Sequence, residues 1–137
     1  MVVQSDGGGR IDLTDLVDYP RETIDIELKE WIDLGDKVAQ ANLARHIAAL
    51  ANHGGGYLVF GFCDDESIAP NRPADLSGYS RDTFGRIVSR YLTPAFQCDV
   101  QSVQSSAGLS YPVVRVPSHG STPVGARADG PHDPKGR

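Results

Sequence analysis

The sequence lacks an excess of positive charge and any long apolar segment. Its 137 residues carry 18 acids against 13 lysines and arginines, a formal net charge of −5. That balance argues against a strongly basic nucleic-acid-binding domain. No run of about 18 apolar residues is present, which excludes a transmembrane helix. The first ten residues, MVVQSDGGGR, lack the apolar core of a signal peptide. These absences predict a cytoplasmic protein that makes no contact with membranes.

Cysteine is also scarce, with only Cys63 and Cys98. The two are far apart in the chain, and a reducing cytoplasm disfavours a disulfide between them. The sequence has no CxxC pair, and its four histidines are scattered. A structural zinc site is therefore not expected.

The acids that are present are unevenly distributed. Residues 1–36 hold ten acids and three bases, whereas residues 37–137 hold eight acids and ten bases. An acidic front end on a mildly basic body fits a carboxylate cluster ringed by arginines, and it fits an ordinary charged surface equally well.

The periodicity of apolar residues predicts an α+β domain, with a mixed β-sheet and two main helices. The expected elements are a short helix over 12–18, strands over 23–31 and 57–62, helices over 37–52 and 80–92, a hairpin over 97–104 and 109–116, and a strand over 122–127. Residues 1–10 are expected to be disordered, 11–127 to form the domain, and 128–137 to be a loop-like tail. The tail has no closing apolar segment, which suggests truncation before a further strand.

Acids recur at the ends of the predicted strands. Glu27 lies on the polar face of the first strand, and Asp64 and Asp65 end the apolar strand. Strands joined by a helix are often parallel neighbours, so Glu27 and Asp64 could meet in a suitable register. Glu22 and Glu27 are five residues apart, an odd spacing that places them on opposite faces of a straight strand. They converge only if the chain turns between them, near Glu22.

Three converging carboxylates repel one another and need a cation. Their hard oxygen atoms favour Mg²⁺ or Mn²⁺. Such an ion can polarise a phosphodiester and activate water for its hydrolysis. The alternative is that these are three exposed acids at strand ends, where acids are common.

Four segments together resemble the Schlafen AlbA-like domain family, and the resemblance covers roughly residues 13–127. The segments are IELKEW, ARHIAALANHGGGYLVFGFCDD, VSRYLTPAF and YPVVRVPSHGSTPVGAR. Two positions depart from the family pattern: Leu28 stands where an aromatic residue is usual, and Phe62 stands where Val is usual. Neither position is one of the acids.

The resemblance implies a fold and a site. In the nuclease branch of the family, the matching acids are Glu22, Glu27 and Asp64, with Asp65 as an offset alternative for the third. They would hold Mg²⁺ or Mn²⁺ in a metal-dependent endoribonuclease site acting on RNA, for example tRNA. Lys29 matches the motif lysine and would contact phosphate, or else form a salt bridge with Glu27. Eukaryotic relatives pair two such lobes, which implies a homodimer here.

Other members of the family are DNA-binding or nucleotide-binding modules, so two alternatives to the nuclease stay open. One is a non-catalytic DNA- or RNA-binding module of a transcriptional regulator, and the other is an ATP-binding domain. Arg45, Arg86 and Arg90 could line a nucleic-acid groove together with Lys29, or lie on solvated helix faces. The run Gly54–Gly56 is more typical of a helix end than of a phosphate cradle.

Overall fold

A computed structural model describes residues 3–4, 10–120 and 122–127. It confirms the α+β class, with a mixed sheet and two main helices. The elements in chain order are β1 (Val3–Gln4), β2 (Arg10–Ile11), α1 (Leu13–Asp18), β3 (Ile26–Lys29), α2 (Lys37–Asn52), β4 (Gly56–Phe60), α3 (Arg81–Tyr91), β5 (Leu92–Thr93), β6 (Asp99–Gln104), β7 (Ser110–Val116) and β8 (Gly125–Ala126).

The main sheet has four strands in the order β3-β4-β7-β6. β3 and β4 are parallel, and α2 connects them, as expected for a strand–helix–strand unit. The β4–β7 and β6–β7 pairs are antiparallel. β3 therefore forms one edge of the sheet, and Glu27 lies opposite Leu58.

α2 begins and ends where the sequence predicts. Asp36 caps its start, because the side chain accepts a hydrogen bond from the backbone N–H of Ala39 at 2.8 Å. Past its end, Gly54 adopts φ +99°, a left-handed conformation that glycine favours. The backbone N–H of Gly55 donates to the carbonyl of Leu50 at 2.8 Å. This glycine run therefore ends the helix. The Gly55 N–H is hydrogen-bonded to the end of the helix, so it does not point to a phosphate site.

Gly56 lets two parts of the backbone approach closely. A Cβ at this position would lie 2.3 Å from the carbonyl oxygen of Asp25. Next to it, the backbone N–H of Tyr57 donates to that same oxygen at 2.8 Å. The segment just before β3 is thus held against the start of β4.

The sheet carries apolar side chains on both faces, which divides the core into two clusters. Helices α2 and α3 pack on one face over Leu58, Phe60 and Val114. The short helix α1 packs on the other face over Val59 and Val113. Phe60 is fully buried, as the apolar run predicts.

The first strand is shorter than predicted. Residues 23–26 form a tight hairpin turn, in which the Thr23 N–H donates to the Ile26 carbonyl at 3.0 Å and the Ile26 N–H donates back at 3.4 Å. β3 therefore starts only at Ile26 and ends at Lys29. Alternating polarity did not reveal this turn, because Ile24 continues the pattern while lying exposed at the tip.

The chain ends also differ in part from the sequence expectations. Within the predicted strand 122–127, only Gly125–Ala126 is a strand, and it pairs with β5 outside the main sheet. β1 pairs with β2 in a short antiparallel ladder, in which Val3, Gln4 and Arg10 belong to the segment 1–10 expected to be disordered and Ile11 to the domain. The other residues of the segment 1–9 and the tail 128–137 lie outside the described residues. Among the described helices, none is long and apolar enough to cross a membrane.

Candidate functional site

The edge of the sheet at β3 borders a cleft of about 380 Å³, here called the acidic cleft. Its residues come from the turn before β3, from β3 itself, from α2 and from the segment after β4. They are Glu22, Thr23, Ile26, Glu27, Leu28, Lys29, His46 and Asp64. The three acids and the lysine singled out in the sequence thus share one cleft.

Glu22 reaches the cleft because the chain reverses immediately after it. The turn at residues 23–26 folds Glu22 back alongside β3, where one carboxylate oxygen accepts a hydrogen bond from the backbone N–H of Leu28 at 3.1 Å. This N–H belongs to the outer edge of the sheet, where none of the strands that the structure describes pairs with β3. Because of this turn, Glu22 and Glu27 line the same cleft despite their odd spacing in the sequence.

Glu27 and Lys29 lie on the same face of β3, and a histidine of α2 faces them. His46 Nδ1 lies 2.6 Å from a carboxylate oxygen of Glu27 and 2.7 Å from Lys29 Nζ. The Lys29 ammonium itself is 4.0 Å from that oxygen of Glu27. The three side chains form one polar network between β3 and α2.

Partial burial shifts the pKa of two members of this network. Burial lowers the pKa of Lys29, and the negative charges of Glu27, Asp64 and Glu22 oppose that effect. Burial likewise lowers the pKa of His46, with a further lowering from the Lys29 charge and an opposing effect of Glu27. All three acids therefore act electrostatically on Lys29.

Asp64 and Asp65 follow β4 but have different surroundings. Asp64 lines the acidic cleft. Asp65 accepts hydrogen bonds from the backbone N–H of Ser67 at 3.0 Å and from the Ser67 hydroxyl. Those bonds lower the Asp65 pKa and tie its carboxylate to its own turn. Of the two residues, Asp64 is the one that faces the cleft.

The arrangement of the acids does not form a ready metal site. Within the part of the chain that the structure describes, no group of three or more His, Cys, Asp or Glu side chains could hold a metal ion. Glu22 is bonded to the Leu28 N–H, and Glu27 is bonded to His46. The donor set is chemically suited to Mg²⁺ or Mn²⁺, but as placed it does not fit either ion.

A second concave surface, here called the arginine groove, lies along α3. Its volume is about 490 Å³. Its residues are Leu34, Gln40, Thr83, Arg86, Ile87, Ser89, Arg90 and Arg127. Arg90 donates to the side-chain oxygen of Gln40 at 3.3 Å. Arg86 and Ser89 also line a neighbouring groove of about 780 Å³.

The residues predicted to bind nucleic acid therefore do not lie on one surface. Lys29 lies in the acidic cleft, whereas Arg86 and Arg90 lie in the arginine groove, and the two sites share no lining residue. Arg45 is exposed on α2 beside His46, and its guanidinium donates to the Asn42 side chain at 2.9 Å.

Sequence reasoning assigned no role to His46. Its contacts are with residues 17 and 19 positions earlier in the chain, so no local spacing could reveal them. The available signal was indirect. His46 borders the buried stripe of α2 next to Ile47, on the helix that crosses from the acid-bearing strand to its neighbour.

Comparison with known families gives a family identity. The family model described as "Schlafen, AlbA_2" matches residues 22–130, which is more than half of the chain. The chain belongs to the Schlafen AlbA_2 family. The match begins at Glu22, the first residue of the acidic cleft.

A solved structure is similar over most of the chain. It is the N-terminal domain of a RecG-related protein from Nitrosomonas europaea, whose name likens it to an ATP-dependent DNA helicase. It is 27% identical to this chain, with a TM-score of 0.50, and the similarity covers 87% of this chain and 80% of that one. No curated protein matches this sequence.

Proposed function

We propose that this domain binds nucleic acid and cleaves RNA phosphodiester bonds at the acidic cleft. One observation carries the proposal: a turn, a strand and a strand end bring Glu22, Glu27 and Asp64 into one cleft with Lys29. Membership of the Schlafen AlbA_2 family and similarity to part of a protein named for a DNA helicase support the nucleic-acid partner.

The residues of the cleft supply acid–base and electrostatic chemistry. The Glu27 carboxylate can accept a proton from the hydroxyl or water that attacks phosphorus. The Lys29 ammonium can stabilise negative charge on the phosphoryl oxygens, and its partial burial strengthens that interaction. Glu22 fixes the open edge of β3, which orients both side chains.

The metal dependence implied by the family resemblance remains a prediction. It requires Glu22 to release the Leu28 N–H and Glu27 to turn away from His46 before three carboxylates can share an ion. The roles given above to Glu27 and Lys29 do not depend on that rearrangement.

The arginine groove is the surface that we propose for the nucleic-acid backbone. The acidic cleft holds three acids and one lysine, so on its own it repels phosphate. Arg86 and Arg90 in the arginine groove supply positive charge at a separate place. We also propose that two copies of the domain associate, as two lobes do in eukaryotic relatives, and that the substrate is a tRNA-like RNA in the cytoplasm.

The experiment that tests the cleavage proposal is incubation with tRNA and, separately, single-stranded DNA, in Mn²⁺ or in EDTA. Wild type is compared with Glu27→Gln, which keeps the shape of the side chain and removes its charge. Glu30→Gln is the matched control, because Glu30 is exposed on the same segment but does not line the cleft. We expect cleavage by wild type and Glu30→Gln and loss of cleavage in Glu27→Gln. Equal cleavage by all three would overturn the proposal.

A second candidate function is a DNA- or RNA-binding module without catalysis. It is favoured by one observation: the carboxylates of Glu22 and Glu27 already have partners within the fold. Such a module would show association that weakens with salt and no cleavage under any metal condition. The same incubations, combined with a binding assay, distinguish the two candidates.

A further inference from the structure

We propose that His46 is a positioning residue for the acidic cleft: it holds Lys29 apart from Glu27, so that the two do not neutralise each other before a phosphodiester binds. The proposal rests on the cleavage function proposed above. No motif of the sequence points to His46, and its role follows from the geometry of three side chains.

Glu27 and Lys29 would be expected to pair directly. They are two positions apart on one strand and therefore project from the same face. A direct ammonium–carboxylate hydrogen bond is about 2.7–2.9 Å long. The observed separation of 4.0 Å is too long for such a bond. His46 Nδ1 makes both contacts instead, at 2.6 Å to Glu27 and 2.7 Å to Lys29.

A single ring nitrogen cannot satisfy both neighbours at the same time. Nδ1 either carries a proton and donates it to Glu27, or presents its lone pair and accepts a hydrogen bond from Lys29. Whichever neighbour is bonded, the other is left for an incoming ligand. A direct Glu27–Lys29 pair would instead place the two charges against each other and weaken the interaction of both with a phosphodiester.

The surroundings favour collapse of the pair if the ring is removed. The side chains of Lys29 and Glu27 are only 13% and 31% exposed, so solvent screens their attraction weakly. The other charged groups that act on the network are Glu22 and Asp64 on Lys29 and Arg45 on His46. His46 Nδ1 is within hydrogen-bond distance of both Glu27 and Lys29, so the imidazole is the group that keeps the two apart.

Three substitutions of His46 distinguish a role in positioning Glu27 and Lys29 from a role in filling space. His46→Asn places a side-chain amide near the position of Nδ1, with two N–H donors and one acceptor oxygen, and should preserve the contacts with Glu27 and Lys29. His46→Gln places its amide near the other ring nitrogen and should preserve them less well. His46→Ala removes them. His53→Ala is the control, because His53 is an exposed residue at the end of the same helix.

The first measurement is RNA cleavage, with kcat and KM determined separately. We expect His46→Ala to lower kcat by about tenfold or more with little change in KM, as for loss of a group that orients the reacting side chains. His46→Asn should recover most of that loss, and His53→Ala should match wild type. Equal activity of His46→Ala and wild type, or equal losses in His46→Asn and His46→Ala, would overturn the proposal.

The second measurement does not depend on activity. A water-soluble carbodiimide joins a carboxylate and an amine that are in direct contact, with loss of one water. A Glu27–Lys29 cross-link blocks tryptic cleavage at Lys29 and yields the peptide 22–37, lighter by one water. We expect its yield to rise severalfold in His46→Ala and to stay at the wild-type level in His46→Asn. Unchanged yield in His46→Ala would overturn the proposal. If wild type cleaves no RNA, the cleavage function fails, and the cross-link alone decides the role of His46.

Discussion

The acidic cleft and the arginine groove share α2 as a wall but are built in opposite ways. The cleft takes its acids from three separate segments, at Glu22, Glu27 and Asp64. The groove takes two of its three arginines, Arg86 and Arg90, from a single helix, at a spacing of four residues, and the third, Arg127, from the residue after β8. His46 and Gln40 are the contributions of α2 to the cleft and to the groove respectively.

This difference separates two tasks that a nuclease has to perform. A cluster of acids can move protons but repels a polyanion, whereas arginines attract phosphate and carry out no proton transfer near neutral pH. Placing them apart lets the groove hold the backbone while the cleft meets one phosphodiester. Substitutions in the two regions should therefore have different effects.

Apart from the loss of cleavage expected for Glu27→Gln, the largest effect is expected for Asp64. Asp64→Asn should lower RNA cleavage on the order of a hundredfold, because it removes one of the three acids that face the cleft. Asp65→Asn is the matched control, since the Asp65 carboxylate is bonded to Ser67 in its own turn. Initial rates on one labelled RNA measure both. A larger loss in Asp65→Asn than in Asp64→Asn would show that the third acid has been wrongly assigned.

The next effect concerns the groove. The double substitution Arg86→Glu and Arg90→Glu should weaken RNA binding by about tenfold or more and flatten its dependence on salt. The control is the pair Arg86→Lys and Arg90→Lys, which keeps the charge. Fluorescence anisotropy at several salt concentrations makes the measurement. An unchanged salt slope in the glutamate variant would remove the groove from the binding surface.

A third effect tests how the cleft is held together. Gly56→Ala should lower the free energy of unfolding by about 2 kcal/mol, because the added methyl group collides with the carbonyl of Asp25, in the turn between Glu22 and Glu27. In the protein that remains folded, cleavage should fall more than binding. Gly54→Ala is the comparison: its φ is +99° but its Cβ meets nothing within 4 Å, so it adds backbone strain without a collision. Urea titration measures both variants, and equal losses would argue against the collision.

The smallest effect lies away from both sites, where α1 meets the β6–β7 turn. Hydrogen bonds from Ser106 hold the pKa of Asp18 below its ordinary value of 3.8. Since the folded pKa is the lower one, the stabilisation is present above the ordinary pKa and is lost as the pH falls through the folded pKa. Acid should therefore destabilise wild type more than Asp18→Asn, measured by thermal unfolding between about pH 6 and pH 2. Identical pH profiles would contradict this assignment, and neither cleavage nor binding at neutral pH should change.

Much of the fold could be predicted from local patterns. The bounds of α2 follow from its apolar stripe, its capping Asp36 and its terminal glycines. Ser80 caps the start of α3 in the same way, and its side chain accepts from the Thr83 N–H at 3.2 Å. Such signals depend on residues that are close together in the chain, so they can be recognised in a single sequence.

The site was less predictable because its geometry is long-range. The register that sets Glu27 opposite Leu58 and the contact of His46 with Lys29 depend on how α2 crosses the sheet. The turn at residues 23–26 was hidden because exposed Ile24 imitates a strand residue. The sequence did indicate that the chain reverses near Glu22. Glu22 and Glu27 are an odd number of residues apart, so they could share a site only if the chain turned between them.

The most direct test of the account measures cleavage and binding of one labelled RNA by wild type, by Glu27→Gln and by the variant with Arg86→Glu and Arg90→Glu. The account predicts that Glu27→Gln binds at least as tightly as wild type but does not cleave. It predicts that the arginine variant binds weakly and regains cleavage as its concentration is raised. If both variants lose binding and cleavage together, or if wild type binds but never cleaves, the proposed division between the acidic cleft and the arginine groove is wrong.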